Sequence, residues 1–197
     1  MLKKNLIVFF TFIFLIANIP SKAIEPNIFV QSTVNRASQI LGDNISKDQK
    51  IEKLKLVAKD TVDIKGIGLY TLGKFRKQIT NDQKDRYNEL FNEYFLKSFS
   101  SRLAEYSNPK IEVIGQEVIN KNYTIVSSKL IATTERPEVK IDWRIYTKNS
   151  DKPLIRDLII EGLSLARTQK EEFNSIIQSN NGDISKLFIS LEKFINE

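Results

Sequence analysis

The sequence contains no cysteine and no histidine. Without cysteine, a domain of this size is held by its hydrophobic core alone. Without histidine it lacks the usual general base, the commonest metal ligand and the one side chain that titrates near neutrality unperturbed. Catalysis would fall to carboxylates, Lys, Tyr or Ser, and metal binding to oxygen ligands only, so both are disfavoured before any motif is considered. The chain also lacks a Lys/Arg block, which argues against nucleic acid as a partner. Internal repeats, low-complexity stretches and linkers are missing as well.

What is present begins with one long apolar run. Lys3 and Lys4 precede the run from Leu6 to Ala17, and Ser21-Lys22-Ala23 places small residues where a signal peptidase reads. The run is short for a membrane span, so residues 1–23 are expected to be a cleaved export signal. Residues 24–197 are then expected to form a single domain. Cleavage removes Lys3, Lys4 and Lys22, leaving 27 basic against 24 acidic residues and lowering the net charge from +6 to +3. A mild positive excess is compatible with transient contact at anionic membranes.

The stretch from Thr80 to Tyr106 dominates the mature chain. Tyr87, Leu90, Phe91, Tyr94, Phe95, Phe99, Leu103 and Tyr106 recur in steps of three and four, which predicts a helix about 40 Å long with one aromatic-rich face. Asp85, Asn88, Glu89, Asn92 and Lys97 are expected to form its wet face. Thr80 with Gln83 reads as a capping box, as does Ser46 with Gln49. Helices are also expected from Pro26 to Leu41, from Ser46 to about Thr61, from Ile64 to Ile79, around Phe173, Ile176 and Ile177, and from Asp183 to Ile195. Between the two helical groups the period changes to two at Ile111–Val113, Tyr123–Ala132, Val139–Tyr146 and Leu154–Ile160, which predicts strands. Short turns between them favour antiparallel neighbours. The class is α+β: an antiparallel sheet of about four strands wrapped by N- and C-terminal helices. The apolar sheet face of Val139, Ile141, Trp143 and Ile145 is the expected partner of the aromatic stripe.

Three motifs invite a catalytic or nucleotide reading. Gly68 to Lys74 has the spacing of a phosphate-binding loop, but Phe75 follows where Ser or Thr would hold magnesium, and no strand precedes it. Gly66, Gly68 and Gly73 are better read as places where a helix bends or approaches a neighbour. Asp157 with Glu161, or Asp63 with Glu112, could be paired carboxylates, although solvated or salt-bridged acids are far commoner. Ser164 is not in a nucleophile elbow and has no histidine to activate it, so it reads as a helix cap. No catalytic or metal-binding residue is assigned.

Leu72-Gly73-Lys74-Phe75-Arg76, the Thr80–Tyr106 helix with Phe91 and Glu93-Tyr94, and Asp157 to Leu165 followed by Phe173 together resemble the MlaC, or toluene-tolerance, family from about Pro26 to Phe194. One departure is Pro153, four residues before Asp157, where the family usually carries Trp; it bears on the edge of the sheet. The resemblance implies a curved sheet and helices enclosing a deep apolar cavity for both acyl tails of a phospholipid. Such a cavity would lie at or above the top of the roughly 300–1,000 Å³ range of ordinary ligand sites. Its expected lining is Leu72, Phe75, Phe91, Phe95, Phe99, Val139, Ile141, Trp143, Leu163 and Leu165. The implied function is that of a monomeric, non-enzymatic periplasmic carrier without a cofactor. Its partners would be phospholipid, an outer-membrane MlaA-type lipoprotein complex, and the MlaD-type ring of an inner-membrane Mla ABC transporter. An exported protein–protein interaction domain with a solid core is the alternative.

Overall fold

In the computed structural model the described residues are 23–197, so the export signal expected over residues 1–23 lies almost wholly outside them. The chain runs α1 (Pro26–Gly42), α2 (Lys47–Thr61), α3 (Ile64–Thr71), a 3₁₀ helix (Gly73–Lys77) and α4 (Asn81–Leu103). A sheet follows, formed by β1 (Ile111–Asn120), β2 (Tyr123–Leu130), β3 (Val139–Tyr146), β4 (Leu154–Ile160) and β5 (Leu163–Ser164), then α5 (Leu165–Ser179) and α6 (Ser185–Asn196). The fold is α+β, and the sheet is an antiparallel meander in the order β1-β2-β3-β4-β5.

Local chemistry sets most element ends. Ser46 and Thr80 each accept from the backbone N–H three residues on, and Gln49 and Gln83 answer from the side chain, so both capping boxes form. The segment expected as one helix from Ile64 to Ile79 is two. Gly73 adopts φ +57, the left-handed region in which a Cβ meets the following carbonyl. The chain therefore leaves α3 and tightens into the 3₁₀ turn. Gly73→Ala is expected to destabilise the protein by about 1–2 kcal/mol, seen as a lower urea midpoint at unchanged slope. Gly68, mid-helix, answers a different demand: a Cβ there would lie 2.7 Å from Phe91 Cδ1, so α3 and α4 meet at this glycine. The same placement rules out a phosphate-cradling loop over Gly68–Lys74.

The sheet has one more strand than expected, and β1 is far longer than Ile111–Val113. Its repeated apolar and polar residues do not alternate in burial, since most of the strand is exposed. The first part of its outer edge is occupied by Gln31 of α1, whose Oε1 accepts from Val113 N–H at 3.2 Å and whose Nε2 donates to the Ile111 carbonyl at 3.5 Å. This side chain stands where a further strand's backbone would. At the other edge, Glu161 and Gly162 both have positive φ, 49° and 83°. They make the tight turn that pairs Ile160 with Leu163. Pro153 is buried immediately ahead of β4, where proline removes no ladder hydrogen bond.

One face of the sheet buries Val126, Ile141, Trp143, Ile145 and Ile155. The aromatic stripe of α4 is not packed directly on it. The helices lying closest to the sheet are α1, α3 and α5, while α4 packs against α2, α3 and α6. Its expected wet face is accordingly half covered: Asn88, Asn92 and Lys97 are partly buried, and the Lys97 ammonium donates to the Ile195 carbonyl at 3.0 Å. The stripe itself meets the C-terminal helices, with Phe173 at 5.7–6.5 Å from the rings of Tyr87, Phe91 and Tyr94. Phe194 lies 4.9 Å from the Tyr94 ring. Such aromatic contacts add about 0.5–1.5 kcal/mol each beyond their buried area.

Candidate functional site

Because α4 stands off from the sheet, a cavity of about 250 Å³ remains between them. Phe91, Phe95 and Phe99 form one wall, and Val62, Ile67, Trp143, Ile155 and Leu158 form the opposite side. Leu165, Ala166, Thr168, Gln169 and Glu172 of α5 bound it laterally, and Ser98 and Arg102 continue the α4 wall outward. The depth is apolar apart from the buried Asp157, and the exposed Arg102 and Glu172 make the rim polar.

Each wall is fixed by its own local device. Phe95 and Phe99 stack on each other at 5.5 Å with ring planes 12° apart, and Phe95 lies 6.1 Å from Phe91. The Trp143 indole is held by donating its Nε1–H to Ser128 Oγ at 2.8 Å, and Ser128 in turn donates to the Ile141 carbonyl at 3.1 Å. Both are buried, so the indole's one polar atom is satisfied and its face is free for apolar contact. On β4 the pairing shifts between Arg144–Asp157 and Ile145–Ile155, leaving Arg156 as a bulge. The bulge changes the phase of the strand, so Ile155 and Leu158, three apart, both face the cavity.

Asp157 anchors α5 against this wall. It is 4 % exposed, and it accepts from Ser164 Oγ at 2.6 Å and from Ala166 N–H at 3.0 Å. Arg144 Nη1 stands 3.8 Å from it. Ser164 also accepts from Arg167 N–H at 3.0 Å, the cap expected of it. The Asp-x-x-x-Glu-Gly-x-Ser segment is therefore a strand, a tight turn and a capped helix start joined by one buried carboxylate. Glu161, by contrast, is exposed and accepts from Lys140 N–H. Asp63 is engaged by Arg156 Nε and Nη2, both at 2.6 Å, and by Gly66 N–H, whereas Glu112 is exposed on β1. Neither carboxylate pair shares a site. Among the described residues, no group of three or more metal-ligating side chains converges, and no helix is long and apolar enough to cross a membrane.

Five of the ten residues expected to line the site do line this cavity: Phe91, Phe95, Phe99, Trp143 and Leu165. Leu72, Phe75 and Ile141 are in the packed core, Val139 is partly buried against it, and Leu163 is 59 % exposed at the β4–β5 turn. The volume is smaller than expected, because the stacked Phe95 and Phe99 rings occupy space between α4 and the sheet. The polar rim continues the same helix faces. On α4 the positions 91, 94, 95, 98, 99 and 102 and on α5 the positions 165, 168, 169 and 172 keep one helical spacing, but an apolar pattern stops at Phe99 and Leu165.

Tyr87, stacked on Phe91 at 5.7 Å, is fully buried. Its hydroxyl lies 2.7 Å from Thr71 Oγ1, which itself donates to the Gly68 carbonyl at 2.7 Å; Tyr87 is therefore the donor to Thr71. Burial above all pushes its phenol pKa up. The unfolded chain loses this proton near pH 10 while the native protein keeps it, so this group's contribution to stability falls as pH rises past about 10. Tyr87→Phe is expected to cost about 1 kcal/mol at pH 8 and to have a shallower loss of urea midpoint between pH 8 and 10.5 than the unsubstituted protein.

A second cavity, of about 410 Å³, includes Tyr70, Tyr123, Arg144 and Arg156 and shares Ile67, Asp157 and Ala166 with the first. The more enclosed of its two arginines, Arg156, is already paired with Asp63, bonded to the Tyr123 hydroxyl at 2.9 Å and stacked at 4.1 Å over Tyr146.

The sequence matches the model of the MlaC protein family over residues 31–193. The chain belongs to the MlaC family. The fold agrees: a solved structure of a phospholipid-binding protein from Ralstonia solanacearum, in complex with a phospholipid, superposes with a TM-score of 0.73 at 20 % identity. The match covers 88 % of this chain and 98 % of that one, so the MlaC architecture extends over nearly all of the described residues.

Proposed function

We propose that this MlaC-family protein is a periplasmic phospholipid carrier that shuttles lipid between an outer-membrane MlaA-type complex and the MlaD-type ring of an inner-membrane ABC transporter, and so maintains outer-membrane lipid asymmetry. The observation that carries the reading is the cavity between α4 and the sheet, predominantly apolar in its depth and polar at its rim, which matches the two ends of an amphiphile. Each methylene hidden from water contributes roughly 0.8 kcal/mol, so moving acyl tails through water requires a wall of this kind and no reactive group. The likeness to a phospholipid-bound fold supports the same class of cargo.

At about 250 Å³ the cavity is below the roughly 300–1,000 Å³ of drug-sized sites, and a two-tailed lipid is larger still. Loading therefore involves widening. Phe95 and Phe99 are the side chains that would turn, since both are only partly buried while Phe91 is wedged against Gly68. Leu163 and Leu165, 59 % and 43 % exposed beside the mouth, are the first apolar surface a tail would meet.

Native mass spectrometry of the protein as isolated tests the reading. A co-purifying mass in the phospholipid range, and uptake of labelled phospholipid from vesicles, are expected. The absence of both would favour the solid-core interaction domain, to which the small volume and stacked rings are equally suited.

A further inference from the structure

Two short polar rows face one another at the mouth of the cavity. Ser98 and Arg102 end the α4 wall, and Thr168, Gln169 and Glu172 end the α5 wall. Two of these residues are linked to the depth through Tyr94: Tyr94 donates to Gln169 Oε1 at 2.7 Å, and Gln169 Nε2 donates to Glu172 Oε2 at 2.9 Å. Among the described residues, Glu172 keeps its other oxygen without a partner and Arg102 makes no side-chain hydrogen bond. The two charges are not an ion pair, because no Arg102–Glu172 contact falls within 4.0 Å. Both nevertheless act on the Tyr94 hydroxyl, whose pKa is raised by burial first and then by Glu172, against the opposing influence of Arg102.

We propose that the mouth reads a zwitterionic lipid headgroup, with Arg102 receiving the phosphodiester and Glu172, positioned by Gln169, receiving a primary ammonium. The assignment rests on the carrier reading and adds a headgroup class to it. A rim with one cation and one anion on opposing helices complements a head that carries both charges, and the separation that prevents them from pairing leaves each available. A guanidinium presents two parallel N–H donors to phosphate oxygens. A carboxylate accepts from an ammonium that has hydrogens to give, so a quaternary ammonium would be held less well. A purely anionic head would satisfy Arg102 and meet Glu172 unfavourably.

The test loads the full mature protein from vesicles holding equal amounts of ethanolamine-, choline- and glycerol-headed phospholipids and diacylglycerol, all with the same tails. Bound lipids are then counted by native mass spectrometry. The ethanolamine lipid is expected to exceed the glycerol-headed one by about twofold to fivefold, the range of an exposed charge pair. Glu172→Gln is expected to abolish that preference by lowering loading of the ethanolamine lipid toward that of the glycerol-headed one. Arg102→Gln is expected to lower all three phospholipids relative to diacylglycerol. Free glycerophosphoethanolamine should not compete at micromolar concentration; competition would assign the rim to a soluble phosphodiester and overturn the lipid headgroup. Equal loading of all heads by the unsubstituted protein, or a preference that survives Glu172→Gln, overturns the headgroup assignment alone. Loading of no lipid at all, diacylglycerol included, overturns the carrier reading itself.

Discussion

Replacing Phe99 with aspartate is expected to strip bound lipid from the protein by at least tenfold while leaving its fold intact. Phe99 lines the cavity and stacks on Phe95, yet it is only partly buried and belongs to the shell around the core rather than to its centre. Removing the ring forfeits roughly 1.5–3 kcal/mol of apolar contact. The new carboxylate must in addition be desolvated by any tail laid against it, a further cost of a few kcal/mol. Tenfold corresponds to only about 1.4 kcal/mol, so the estimate is a lower bound. In the empty protein the carboxylate can reach the solvated rim near Ser98 and Arg102, and stability should change little. Lipid extracted per mole of protein, read beside the thermal midpoint, separates the two effects. A variant that retains normal lipid would place the tails elsewhere.

Leu163→Asp gives the contrasting case. Leu163 is exposed and outside the cavity lining, so equilibrium retention should fall less than for Phe99→Asp, and the larger effect should be on the rate of uptake from vesicles.

The difference between these residues marks where sequence patterns were informative. Capping boxes at Ser46 and Thr80 and the period-two run from Val139 to Tyr146 were legible because each is a local device within a few residues. The break at Gly73 was not, since a glycine reveals its left-handed φ only when the chain must turn there. The stripe does face the sheet across the cavity, but it is shared with the C-terminal helices. A hydrophobic stripe specifies a face to be covered, and Phe173 and Phe194 from the far end of the chain compete for it with Trp143. On β4 a strict period of two would align Ile155 with Asp157; the bulge at Arg156, set by pairing to β3, brings Leu158 to the cavity as well. The polar rim at Arg102 and Glu172 continues the helical spacing of the apolar wall, but an exposed charge on a helix carries no sign in the sequence that it borders a cavity. Phe91, Phe95 and Phe99 could be placed together because one helix carries all three.

Asp157→Ala is expected to be the most destabilising of the substitutions considered, by about 3 kcal/mol or more. The carboxylate is 4 % exposed and is the acceptor for both Ser164 Oγ and Ala166 N–H, with Arg144 alongside. Removing the carboxylate leaves the Ala166 N–H and the Ser164 hydroxyl without their charged acceptor, each at a typical cost of about 1–3 kcal/mol and about 3 kcal/mol together, while the 43 % exposed Arg144 turns to solvent. For a chain of this length that corresponds to a fall of roughly 6–12 °C in thermal midpoint. The loss is also directional. Ala166 borders both cavities and begins the α5 wall that carries Thr168, Gln169 and Glu172, so loosening it should open the cavity to water and shorten lipid residence. Asp157→Asn keeps a carbonyl oxygen for Ala166 N–H and should recover part of the stability and most of the lipid. A hydrolytic role for Asp157 makes the opposite forecast, a folded Asp157→Asn protein without turnover. Measuring thermal midpoint, lipid content and ester hydrolysis on both variants therefore separates an anchor from an acid, and an Asn variant as unstable as the Ala variant would remove the anchoring role assigned to the Ala166 contact.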